Sequence, residues 1–176
     1  MTTGHEKREL YKLILARSDI TSALFACRFF IKNIKDVKNE LWLPMQEAII
    51  ISYARPFTNN KPFGSLKKSW SEMPTIEMQN VHDQVINARN MQIAHSDLKQ
   101  NKVFIFPKGL KLPPDNHPSS SIGVEIHNFK FPIPFFLNVE KLCLFLGRKI
   151  HSEIEKKLIN IYGNVDFHEK IELTIE

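Results

Sequence analysis

Arg89, Asn90 and His95 are the residues of this chain whose types and spacing carry the plainest chemistry. They lie in Val-Ile-Asn-Ala-Arg-Asn-Met-Gln-Ile-Ala-His-Ser-Asp, residues 85–97, which reads as the end of a helix. An imidazole moves a proton near neutral pH, and a guanidinium grips and neutralises a phosphate. The pair suits metal-free work on a phosphodiester, and the 2′-hydroxyl of RNA would serve as an internal nucleophile. The bare Arg-to-His spacing is short, so its context carries the reading. A polar Asn90 follows the arginine, and His95 stands in Ala-His-Ser-Asp, where the helix ends. A second arginine, Arg55, closes the preceding apolar helix in Ser-Tyr-Ala-Arg-Pro-Phe. His95 also falls at the end of an apolar stripe through Met78, Val81, Val85, Ala88 and Gln92. A hydrogen-bonded core histidine is therefore the competing reading.

The arrangement resembles the HEPN superfamily of all-α domains. Its ribonuclease members carry an arginine, a polar neighbour and a histidine a few residues on, here Arg89, Asn90 and His95. The resemblance covers the helical parts, roughly residues 5–100 and 138–162. It implies a metal-independent endoribonuclease without a cofactor, often the toxin of a toxin–antitoxin or phage-defence pair. It also implies a homodimer in which two copies of the motif face one cleft, with RNA as substrate. The antitoxin would be a nucleotidyltransferase-type protein. Some members bind nucleotides or a partner without catalysis, so a non-catalytic binding module is the alternative. A helical dimerisation scaffold is a third reading.

On an ideal α-helix, Arg89 and His95 stand about 120° apart around the axis and roughly 9 Å apart along it. Either the helix unwinds before His95 or the two groups meet across a two-fold interface. His82 precedes Arg89 by two turns and shares its face. Arg55, His82, Ser96 and Asp97 are the candidate substrate contacts. Arg55 is equally placed to cap its helix through the macrodipole. Asp83 and Asp97 are placed to orient a histidine or pair with an arginine.

The elements that must position these groups read as helices. Residues 5–35 form one long helix, with Leu13, Ile20, Cys27 and Ile34 in one sevenfold series and Leu10, Leu24 and Ile31 interleaved. Arg17 interrupts that second series, either snorkelling, pairing with an acid, or lying beneath the site. A second helix starts at Asn39, accepts Pro44 in its first turn, and ends before Pro56. Residues 58–74 are a long polar connection bearing Lys61, Phe63, Lys67, Lys68 and Trp70. That combination suits phosphate attraction with base stacking, or a solvated loop with its aromatics tucked in. The third helix spans residues 75–95. Residues 101–137 carry a short β-like run, 103–106, and an alternating one, 122–127, around a Pro- and Ser-rich loop. They predict a β-hairpin inserted before the last long helix, which Asn138 caps and Gly163 ends. The insertion is basic through Lys102, Lys108, Lys111 and Lys130, as an RNA flank or a solvated flap. The fold expected is mainly α, an antiparallel bundle of four to five helices in one domain over residues 1–176.

Composition sets the remaining bounds. The chain has 176 residues, 43% hydrophobic and 24% charged, which is ordinary for one globular domain. A net charge of +5 suits a polyanionic partner without requiring one. Six glycines and no G-x-x-x-x-G-K-[ST] exclude the glycine-rich phosphate loops. No zinc-spaced cysteine pair, H-E-x-x-H or acidic cluster points to a metal. Cys27 and Cys143 read as buried free thiols, and a reducing cytoplasmic location is the simpler expectation. No signal segment and no membrane-length apolar run stands out.

Overall fold

An uninterrupted run without proline or internal glycine makes the first helix, α1 (Gly4–Asn33). This computed structural model describes residues 4–59, 64–90, 102–111, 122–127 and 129–163. The face that α1 buries is Leu10, Leu13, Ala16, Ile20, Ala23, Cys27 and Phe30, continued by Ile34 just past its end. One sevenfold series is the expected one. Of the interleaved series Leu10 is buried as expected, while Ala16, Ala23 and Phe30 take the place of Arg17, Leu24 and Ile31. The small alanines let neighbouring helices come close. A reading by apolarity alone favours the larger Leu24 and Ile31, which are only partly buried. Arg17 is exposed.

Two helices run antiparallel to α1. In α4 (Ile133–Tyr162), the start meets the end of α1: Cys27 Sγ donates to the Phe136 carbonyl at 3.0 Å, and Arg28 Nε to Glu140 at 2.8 Å. In α2 (Trp42–Ala54), the Trp42 ring sits edge-on to Phe30 at 4.9 Å, while Arg55, just past its end, reaches Asp19. The remaining helix, α3 (Ile76–Ala88), packs against α2 and α4. Because α1 packs on the same two helices, α1 and α3 occupy opposite sides of the bundle. The mainly-α class holds, with four α-helices among the described residues around one apolar core.

Two helix starts move. Helix α2 begins at Trp42 and not at Asn39. The Asn39 side chain instead accepts from Leu41 N at 2.9 Å, a local turn that competes with helix. Within α2, Gln46, Ile49, Ile50 and Tyr53 are buried while Glu47 and Ala48 face solvent, so the helix has an exposed side. Helix α4 begins at Ile133 and not at Asn138. Pro134 fits its first turn, where the missing N–H has no helical partner to lose. This shortens the segment expected over 101–137, and it puts Phe135 and Phe136 in the core.

Ahead of α4, β1 (Lys102–Phe106) pairs antiparallel with β2 (Gly123–His127), Val103 opposite Ile126 and Ile105 opposite Val124. The Pro- and Ser-rich loop over 112–121 lies outside the described residues. Gln46 ties the lead-in of α4 to α2: its Nε2 donates to the Phe129 carbonyl at 2.9 Å, and its Oε1 accepts from Phe131 N at 2.8 Å. Gly163 ends α4 with a φ of 71°, a left-handed conformation in which other residues are strained.

Candidate functional site

The site is delivered by α3. Thr75 caps its start, Oγ1 accepting from Met78 N at 3.2 Å. The helix then buries His82, Val85 and Ala88, which fixes its rotation against α2 and α4. Regular α geometry stops at Ala88, earlier than the expected residue 95. The Arg89 N–H is shared between the carbonyls of Val85 and Ile86, and Arg89 and Asn90 adopt a π turn. Such turns are rare and recur at functional positions.

Arg89 is half-buried and Asn90 exposed. Arg89 Nη1 donates to Asn90 Oδ1 at 3.1 Å, so the neighbouring amide steadies the guanidinium without neutralising it. Among the described residues no carboxylate forms an ion pair with Arg89. His95, Ser96 and Asp97 lie outside the described residues.

His82 points into the core, with 3% of its surface exposed. Its Nδ1 is 2.8 Å from the Tyr53 hydroxyl, and its ring meets Phe57 edge-on at 4.8 Å. Burial pushes its pKa below the ordinary value, partly opposed by the nearby Asp83. Burial likewise holds the Tyr53 hydroxyl well above the usual tyrosine value. His82 thus packs as one half of a buried polar pair. Tyr53 was not among the residues singled out from the sequence. The available signal was a tyrosine within an apolar run, because a buried hydroxyl needs a partner.

Arg55 opens a short 3₁₀ turn, Arg55–Phe57, and its Nη1 stands 3.3 Å from Asp19 of α1. The carbonyl at that helix end is met by Thr58, through both its N–H and its hydroxyl. Tyr53, two residues before Arg55, sits beside His82. Arg89 stands roughly 10 Å farther along α3. In the connection before α3, Trp70 packs on the bundle, with Lys149 Nζ 5.0 Å from its ring. Lys67 reaches Glu9 at 3.8 Å. Lys61 and Phe63 lie outside the described residues.

Other chemistries find little support. Among the described residues no cluster of three or more His, Cys, Asp or Glu side chains could hold a metal ion. Both thiols are free and buried. Burial pushes the Cys27 thiol up to about 12 and raises that of Cys143 as well, which favours the thiol over the thiolate at both. No described helix is long and apolar enough to cross a membrane. Compared with known proteins, the chain matches no family model, no curated protein and no solved structure.

Proposed function

We propose that the chain is a metal-independent endoribonuclease of the HEPN type, acting in the cytoplasm as a homodimer, as the toxin of a toxin–antitoxin or phage-defence pair. The observation that carries the reading is the Arg89 guanidinium. It sits at a π turn ending α3, steadied by Asn90 and paired with no described carboxylate. A cation held this way is ready for a phosphate. His95 removes the proton from the RNA 2′-hydroxyl, and the freed oxygen attacks the adjacent phosphorus. Arg89 stabilises the charge growing on the phosphoryl oxygens. The bond from phosphorus to the 5′-oxygen breaks, and that oxygen takes a proton from the second His95 of the dimer. The products are a 2′,3′-cyclic phosphate and a 5′-hydroxyl. An antitoxin of the nucleotidyltransferase type would restrain the activity.

The test is RNA cleavage in EDTA, with a panel of structured and unstructured RNAs. Wild type should produce cyclic-phosphate ends. His95→Ala and Arg89→Ala should each lose about 100-fold or more while staying folded. Equal cleavage by wild type and both variants refutes the assignment. No cleavage by folded wild type across the panel turns the reading to a non-catalytic module that binds a nucleotide or a protein partner.

A further inference from the structure

The side of α1 turned away from the core carries large apolar groups. Phe25 is 64% exposed and Phe29 49%, and Ile14 and Leu15 are also exposed. At 100° per residue, Ile14, Ser18, Phe25 and Phe29 fall within about 60° of one another, so they form one stripe. Ile14 and Phe25 are roughly 16 Å apart along it. Between them stand the small polar residues Ser18, Thr21 and Ser22. The stripe is thus a saddle, with aliphatic groups at one end and a phenylalanine pair at the other.

The exposed charges of α1 itself have one dominant sign. The exposed ionic side chains of α1 are Arg8, Arg17, Arg28 and Lys32 against Glu6. Arg28 is engaged by Glu140. Among the described residues no carboxylate pairs with Arg8, Arg17 or Lys32. Large apolar groups gathered on one exposed ridge mark an interaction surface, and the cations beside them select the sign of what lands there.

We propose that this face of α1 docks an acidic amphipathic α-helix of a protein partner. The partner's backbone approaches over Ser18 and Ser22, its apolar side chains fill the space between Ile14–Leu15 and Phe25–Phe29, and its carboxylates meet Arg8, Arg17 and Lys32. A second copy of this chain fits less well, because a two-fold axis through the stripe sets like cations against each other. A single-stranded nucleic acid prefers a cationic groove, whereas this is one convex ridge. A lipid surface favours a continuous apolar face, which Ser18, Thr21 and Ser22 interrupt. The stripe lies across the bundle from α3, so its occupant does not build the Arg89 cleft. The proposal stands apart from the ribonuclease reading.

The probe is a fluorescent synthetic helix about five turns long, with leucine at the a and d heptad positions and glutamate on its flanks. The control peptide replaces every glutamate with lysine. Fluorescence anisotropy with the full chain should show saturable binding of the acidic peptide, and at least tenfold weaker binding of the basic one. Phe25→Ala with Phe29→Ala should weaken it at least tenfold, as should Arg17→Glu with Lys32→Glu. These positions are exposed, and unchanged melting temperatures confirm that the variants fold. No saturable binding of the acidic peptide overturns the proposal, as does equal binding by the variants. Sedimentation with phosphatidylserine vesicles, binding to oligouridine and analytical ultracentrifugation run in parallel. A Phe25-dependent response in any of these, with none to the acidic peptide, reassigns the face to lipid, RNA or a second copy.

Discussion

The Tyr53–His82 pair shows how burial turns a titratable residue into a pH-dependent stabiliser. In the folded chain the imidazole is held neutral, its pKa lowered chiefly by desolvation. In the unfolded chain it titrates near its ordinary 6.5. Above that value both states carry a neutral ring, and the group contributes no pH dependence. Below it the unfolded state binds the proton more readily, so stability falls as pH drops from 6.5 toward the lowered folded value. We expect the wild-type denaturation midpoint to decline more steeply below pH 6.5 than that of His82→Gln, which keeps a polar group beside Tyr53 but does not titrate. Superimposable pH profiles would show that His82 is not held neutral. The sequence singled out Arg89 and Asn90 for their chemistry, and the structure adds the hydrogen bond between them. His82 was harder to place. It looked like a companion of Arg89 because the two are a whole number of turns apart, yet seven residues fall about 20° short of two full α-helical turns. That drift turns His82 inward while Arg89 stays half-exposed.

Elements were legible where side-chain volume and apolarity agree, and shifted where they do not. The Leu13, Ile20, Cys27 and Ile34 series of α1 is used as read, and α4 buries Leu142, Leu146, Ile150 and Ile154 at helical spacing. Ala16 and Ala23 escaped because a close helix contact rewards smallness, not hydrophobicity. The start of α4 escaped because Pro132 and Pro134 look like a loop, although proline is at home in a first helical turn. What fixes that start is Gln46, a buried amide on α2 that holds both the Phe129 carbonyl and the Phe131 N–H. Replacing it with a hydrocarbon of similar size removes both partners at once. We expect Gln46→Leu to lower unfolding stability by about 2 kcal/mol, since each partly buried backbone group then loses its hydrogen bond. The loss should appear as a lower midpoint in urea with an unchanged slope. Hydrogen exchange should concentrate it at the start of α4. A change below about 0.5 kcal/mol would mean that water replaces the amide at no cost.

At the scale of the whole molecule, the bundle fixes where Arg89 stands, and the proposed chemistry sets what must join it. The composition bounded the class through ordinary hydrophobicity, modest positive charge and no phosphate loop. It could not specify the proposed meeting of Arg89 and His95, because the helix changes pitch at Arg89 and a proposed two-fold axis would leave no mark on a single chain. Subunit mixing reads that relation directly. Arg89→Ala and His95→Ala are each expected to be inactive. Unfolded together in equal amounts and refolded, they assort so that about half of the dimers are mixed. In a mixed dimer the one intact Arg89 and the one intact His95 belong to different chains. If the shared cleft pairs the arginine of one protomer with the histidine of the other, every mixed dimer keeps one such pair of the two. The mixture should then recover at most about a quarter of wild-type cleavage. If each chain carries a self-sufficient pair, no combination of the two variants is complete and nothing is recovered. We expect a small recovery, below that quarter, because the mixed dimer keeps one His95 to deprotonate the 2′-hydroxyl while water protonates the leaving 5′-oxygen in place of the second His95.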